Sequence, residues 1–202
     1  MKTPSWEKNS QYSMGQNRKQ EIQTAAAKLF GEKGFSACSV RDIAQAVGLG
    51  AASLYNHMDS KDELLTMICF RCANEFLEGM KRIDASEIGP EEKIKELIRL
   101  HIHIALNDKS SVTVFNDEWR HLQEPFLANF LELRRNYEKT YLRIIREGIE
   151  KKVFTPVDEF TIYQTILASL RWLHLPNIKK TKLTEEALTE QITMILIKGI
   201  VI

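Results

Sequence analysis

From Arg18 onward, apolar positions recur at Ile22, Ala26, Leu29 and Phe30. This is the i, i+4, i+7, i+8 spacing that places side chains on one face of a helix. Gly34 marks where that helix stops, because glycine accepts the left-handed backbone of a C-terminal cap. Ser39 can then cap a short helix on Val40, Ile43, Ala44 and Val47, with Asp42 reaching back from three residues on. Gly48 ends it, and a third short helix is expected over residues 51–58. Ser60-Lys61-Asp62-Glu63 reads as a second capping box, opening a long helix on Leu64, Leu65, Ile68, Cys72 and Phe76.

Gly89-Pro90 is the clearest internal boundary. Beyond it, one helix is marked by Ile94, Leu97, Ile98, His101 and Ile104, and another by Phe126, Phe130, Leu133, Tyr137, Tyr141 and Ile144. Residues 151–157 carry Pro156 and form a break, after which Phe160, Tyr163, Ile166, Leu167 and Leu170 mark a further helix. The last helix opens at Thr184, with Glu185 and Glu186 at its positive end and Leu183 and Leu188 spaced as a hydrophobic staple. Only residues 111–115, rich in β-branched side chains, are ambiguous between strand and helix. The pattern predicts an all-α fold.

Composition narrows the class. The chain has 202 residues, 44% hydrophobic and 27% charged, with 9 Gly and 5 Pro, which implies an ordered core and excludes low-complexity architectures. Lys+Arg is 28 against Asp+Glu 27, a net charge of +1, so the protein is no polycation that coats nucleic acid by bulk charge. A local basic surface remains open. Cys38, Cys69 and Cys72 are too few for a disulfide scaffold and fit reduced thiols in a cytoplasmic setting. Residues 1–17 are polar, lack an apolar core segment, and are expected to be a disordered tail rather than a signal peptide or anchor. No run approaches the roughly 18 apolar residues of a membrane-spanning helix, so no membrane partner is expected.

The region that carries function is 39–61. Two short helices joined by a tight turn at Gly48 make a helix-turn-helix. Ala44 is small where the helices cross, Leu54 seals the second onto the first, and Ile43, Val47 and Leu49 complete the small core. Such a unit offers the start of its second helix to the DNA major groove. A helix of about 8 residues spans about 12 Å, the groove's own width.

Here the chain resembles the TetR family of bacterial transcriptional regulators. The matching runs are Val40-Arg41-Asp42-Ile43-Ala44 through Gly48, Ser53-Leu54-Tyr55-Asn56-His57-Met58, and Ser60-Lys61-Asp62-Glu63-Leu64-Leu65. Upstream, Ala25-Ala26-Ala27-Lys28-Leu29-Phe30 and Lys33-Gly34-Phe35 match the family's first helix, so the resemblance spans residues 18–65. It implies that Ala51, Ala52, Ser53, Asn56 and His57 face DNA, with Arg41 on the neighbouring helix. Tyr55, Lys61 and Ser39 have the chemistry of phosphate contacts. Arg41 suits a guanine edge, Asn56 an adenine edge and Ala52 a thymine methyl. The plainer alternatives are that Tyr55 packs, Lys61 is solvated and Arg41 pairs with an acid. Gly50, Ala51 and Met58 depart from the family's usual Ser/Thr, polar and aromatic residues. They leave a second helix poor in long polar side chains, so that specificity leans on Arg41, Asn56, His57 and DNA shape.

The resemblance also implies a homodimer on a palindromic operator, joined through the last two helices. The apolar run Ile192, Ile195, Leu196 and Ile200 agrees, unless it only covers the protomer's own core. The domains expected are a tail over 1–17, a helix-turn-helix domain over 18–63, and a ligand-binding and dimerisation domain over 64–202. Trp119, Phe126, Phe130, Tyr137, Tyr141, Tyr163 and Trp172 suggest an aromatic interior for a small apolar or acyl effector. The run over 137–157, followed by Arg171-Trp172-Leu173, resembles the TetR branch that senses acyl-CoA thioesters. Trp119, Phe130, Arg134, Tyr137, Tyr163 and Trp172 are the candidate ligand residues, and the resemblance implies that Arg134, Arg135 or Lys139 meets a CoA phosphate; the plainer alternative is that the aromatics are core and the arginines solvated.

Weaker signals argue against other classes. Cys69-Phe70-Arg71-Cys72 stands without the second pair of ligands a tetrahedral zinc needs, and reads as core filling. His101 and His103 lie on different helix faces and cannot share an ion; a packed His101 and an exposed His103 are expected. No phosphate loop, nucleophile elbow or triad spacing appears, so no catalytic residues, cofactor or metal are expected. A helical enzyme and a scaffold or adaptor are the alternatives to a ligand-responsive repressor.

Overall fold

The computed structural model describes the backbone of residues 5–175 and 182–198, and side chains from Arg18 onward. Its helices are α1 (Ser5–Lys33), α2 (Val40–Ala46), α3 (Ala51–Leu54), α4 (Lys61–Asp84), α5 (Pro90–Asn107), α6 (Lys109–Asp117), α7 (Phe126–Glu150), α8 (Glu159–Leu170) and α9 (Glu185–Lys198). Short 3-10 turns cover Trp119–His121 and Arg171–Leu173. The all-α expectation holds among the described residues.

Local chemistry explains most boundaries. Gly34 ends α1 at φ +84° and Gly48 ends α2 at φ +66°. At α2 the Ser39 hydroxyl accepts from the Asp42 amide while the Asp42 carboxylate accepts from the Ser39 amide, the reciprocal cap expected. At α4 the reciprocity is offset by one residue: Ser60 accepts from the Glu63 amide, but Glu63 accepts from the amide of Asp59, at 2.6 Å. Thr184 caps α9 by accepting from the Ala187 amide.

Three stretches differ from the sequence pattern. The ambiguous 111–115 segment is helical within α6, because Asp108 caps it by accepting from the Ser111 amide. The helix expected over 51–58 closes at Leu54. Gly50 supplies no side-chain cap, and the amides of Asn56 and His57 bond three residues back, to Ser53 and Leu54, as a tighter turn. Helix α1 begins at Ser5, within the stretch expected to be a tail. No proline interrupts residues 5–33, and propagating a formed helix is far easier than nucleating one.

Two apolar cores result. The first gathers Ile22, Phe30, Ile43, Leu54 and Leu65 beneath the helix-turn-helix, and Val114, Leu122 and Phe130 from the rest of the chain complete it. The second lies among α4, α5, α7 and α8, with Leu97, Ile98, Tyr141, Ile144 and Phe154 almost wholly enclosed. Each such side chain contributes about 1.5–3 kcal/mol on burial. Helix α4 runs through both cores. Helix α1 packs along α6, and α9 packs along α5.

Candidate nucleic-acid interface and interior cavity

The helix-turn-helix assembles as its residue types require. Ile43, Ala44 and Leu54 are buried at the crossing, and the Leu49 amide bonds the Ala44 carbonyl at 2.8 Å to close the turn. From outside the unit, the Arg18 guanidinium donates to the carbonyl of Val47 at 2.7 Å and stops the turn from opening. Ala52, Ser53 and Asn56 are exposed, Ala51 and His57 half-buried, and Tyr55 is 54% exposed, so Tyr55 does not pack. Arg41 is exposed and makes no ion pair among the described residues.

Two candidate phosphate contacts are engaged within the protomer. The Ser39 hydroxyl donates to Asp42, whose carboxyl is held well below the usual range by those Ser39 bonds and by Lys33. The Lys61 ammonium donates to the carbonyls of Phe35 (2.8 Å) and Cys38 (2.9 Å) and lies 4.2 Å from the centre of the Phe35 ring. Two of its three N–H donors are therefore used. The same loop is held from the other side, since the Phe35 amide donates to Glu118 at 3.1 Å and the His121 ring stacks on Phe35.

The larger domain encloses two adjoining chambers, of about 90 and about 260 Å³. They share Phe76, His101, Phe115, Asn116, Arg134 and Leu167. The smaller lies against Ala73, Phe76 and Leu77 of α4, and the larger reaches Gln164, Arg171 and His174. His101 Nε2 and Tyr137 Oη are 2.8 Å apart. Burial, with His174 nearby, pushes the His101 pKa down to about 4, and burial raises that of Tyr137. Both groups are neutral at pH 7. The Arg134 guanidinium sits over the Trp119 ring at 5.1 Å.

Of the six candidate ligand residues, Arg134, Tyr137 and Tyr163 line the cavity. Trp119, Phe130 and Trp172 do not. Phe130 is wholly buried in the first core with Trp119 stacked on it, and Trp172 packs against the second core. Aromatic content says where a core is, not which side of a helix faces a void. Sequence reasoning missed Asn116, Phe115 and His174. The first two fell in or beside the segment whose secondary structure was ambiguous, and Asn116 meets His174, 58 residues away, only on folding. Arg135 and Lys139 are exposed and outside the lining.

Cys69 and Cys72 are buried free thiols; burial pushes Cys69 up to about 12 and Cys72 well above its usual value. No metal-holding group of three His, Cys, Asp or Glu occurs among the described residues. His103 is exposed and bonded to Glu185. Met194 and Ile195 of α9 and Phe160 of α8 are exposed apolar side chains, while Ile200 lies outside the described residues. No helix among the described residues is long and apolar enough to cross a membrane.

Two family models match this chain. One, described as bacterial regulatory proteins, tetR family, covers residues 22–68, and the other, described as tetracyclin repressor-like, C-terminal domain, covers 87–200. The HTH-type transcriptional repressor KstR2 of Mycobacterium tuberculosis is 27% identical over 162 residues, covering 77% of this chain and 81% of that protein. IcaR of Staphylococcus epidermidis, a negative transcriptional regulator of the biofilm operon icaADBC, is 27% identical over 137 residues, covering 64% and 74%. The solved structure of the M. tuberculosis KstR2 superposes with a TM-score of 0.82 at 26% identity over 92% of this chain and 95% of the other. AibR, solved with isovaleryl coenzyme A and operator DNA, shares the fold with a TM-score of 0.76 at 21% identity, covering 89% and 98%.

Proposed function

The chain belongs to the tetR family of bacterial regulatory proteins, and from that premise we propose that it is a cytoplasmic, homodimeric, ligand-responsive repressor of transcription. The observation that carries the reading is the pairing of two features on α4. Its first residue holds the helix-turn-helix, through Lys61 to Phe35 and Cys38. Its middle, at Ala73, Phe76 and Leu77, is a wall of the interior cavity. Its far end is anchored at Asp84, whose carbonyl accepts from Lys93 at 2.8 Å and whose carboxylate pairs with Arg143.

Residues 18–63 act as the DNA-reading unit and 64–202 as the effector and dimer unit, with Val114, Leu122 and Phe130 of the second completing the core of the first. Arg41, Ala51, Ala52, Ser53, Asn56 and His57 face bases, and Tyr55 meets phosphate. Ser39 and Lys61 act by holding the loop and the start of α2 in place. The exposed Phe160, Met194 and Ile195 belong to the dimer contact. The dimer sets the two recognition elements about 34–36 Å apart, one turn of the duplex. An apolar or acyl-CoA-type effector filling the cavity displaces α4 between its anchors and changes that spacing. It shifts the equilibrium only by its differential affinity for the two states.

The test is a fluorescence-anisotropy titration with DNA from upstream of the protein's own gene, at two salt concentrations, with selection from random duplexes beside it. Tight, salt-sensitive binding and enrichment of a palindrome are expected. An adaptor or enzyme would show neither. Enrichment of no sequence would sink the repressor reading.

A further inference from the structure

The last turn of α6 touches the cavity through some residues and the DNA-reading unit through the next. Phe115 and Asn116 line both chambers, and the Asn116 side-chain amide meets His174 Nε2 at 3.3 Å. Asp117 pairs with Arg171, which lines the larger chamber. Glu118, which caps the helix, lines neither chamber. One of its carboxylate oxygens accepts from the Phe35 amide at 3.1 Å, and the other lies 3.7 Å from where a Cβ would stand on Gly34. Helix α1 closes with the Gly34 amide bonded to the Phe30 carbonyl, so the Phe35 amide needs an acceptor from elsewhere, and the carboxylate supplies it. The Glu118 side chain is only 17% exposed, so little water competes for that bond. Through Phe35 the link reaches the start of α4, because the Phe35 carbonyl accepts from Lys61. The first turn of α6 is fastened elsewhere: Arg71 of α4 donates to Asp108 at 2.6 Å and to Ser111 at 2.7 Å.

We propose that Glu118 couples the cavity to the DNA-reading unit. A group filling the cavity against Phe115 and Asn116 moves the last turn of α6, Glu118 releases Phe35, and the loop that seats Lys61 and leads into α2 loosens. The bond stands at 3.1 Å and a contact near about 3.6 Å no longer counts as one, so a movement of roughly half an ångström severs it. Glu118 is a positioning residue, acting through Phe35 rather than on DNA or effector. The inference rests on the regulator reading for the two sites, and adds a path between them that does not run along α4.

The test fills the cavity by substitution and reads operator affinity of the full chain on the duplex enriched by selection. Leu167 of α8 lines both chambers, is half-buried and has no polar atom in its side chain, so Leu167→Trp fills the space without removing a hydrogen bond of α6. Ala168→Phe, from an exposed position on the rim of the larger chamber, serves as a second filling variant. In the wild type, filling should change operator affinity about tenfold. Glu118→Gln keeps an oxygen that accepts from Phe35 and should preserve that response. Glu118→Ala should reduce it to less than about twofold, the signature of uncoupled sites. A Glu118 that only supports the fold would lower affinity by one factor whether or not the cavity is filled, and that result overturns the proposal. So does filling that leaves wild-type affinity unchanged. Hydrogen exchange at the Phe35 amide, followed by NMR, needs no Glu118 variant: it should quicken about tenfold when the cavity is filled, and unchanged exchange overturns the proposal too. If the wild type binds no operator, the regulator reading fails, while the exchange measurement still decides the link from cavity to loop.

Discussion

Replacing Lys61 with methionine separates two roles that the sequence could not tell apart. Methionine keeps the apolar stem and removes the ammonium, so the Phe35 and Cys38 carbonyls lose donors at 2.8 and 2.9 Å and the Phe35 ring loses its cation. A charge-assisted hydrogen bond contributes about 1.5–3 kcal/mol. Lys61 is half-buried and water can replace part of the pair, so about 2 kcal/mol for the whole substitution is the expected loss. For a chain of this size that lowers Tm by about 4–8 °C. If Lys61 instead worked chiefly as a phosphate contact, its removal would leave Tm alone and reduce the salt slope of DNA binding by about 0.9 per protomer. The assays are a thermal melt and anisotropy titrations at several salt concentrations. The geometry predicts a lower Tm and an unchanged slope, and the opposite pair of results would refute the reasoning.

Arg41→Ala should weaken operator binding about tenfold without lowering Tm, because the exposed guanidinium supports nothing within the protomer; a fall in Tm would contradict that placement. Gly148→Ala should cost about 1–3 kcal/mol, because the added methyl overlaps the ring of Phe154, which is only 1% exposed and cannot yield. Gly79→Ala meets only the half-buried Leu100 and should cost less, so equal melts would count against the packing argument. For His101 the folded pKa, about 4, lies below the roughly 6.5 of the unfolded chain. Its contribution is complete above about pH 6.5 and is lost as pH falls toward 4, so His101→Gln should flatten the fall in Tm over that window. The buried thiols should react with a thiol reagent only after denaturation, and prompt reaction of the native protein would show that α4 opens at Cys69 or Cys72.

Much of the molecule is legible from neighbours along the chain. The Ser39–Asp42 cap, the turn at Gly48 and the stripe Ile22, Ala26, Phe30 arise within one or two helical turns, where a few residues set the backbone and the apolar period names the buried face. The exposed Tyr55 follows from the same register. So does burial of the Cys69–Cys72 pair, three residues apart on one helical face. The family resemblance rests on these local features.

What eluded that reading depends on residues far apart in the chain. Lys61 turns inward because folding brings carbonyls 23 and 26 residues away within reach of its ammonium. Phe130 and Trp119 fill the core under the helix-turn-helix, although they follow it by more than 50 residues. Which aromatics border the cavity, and that Asn116 and His174 meet there, depends on how α4, α6, α7 and α8 cross. A periodic pattern tells which side of a helix avoids water. It does not tell which neighbour covers that side or where the covering leaves a gap, because those are set by the joint packing of the whole chain.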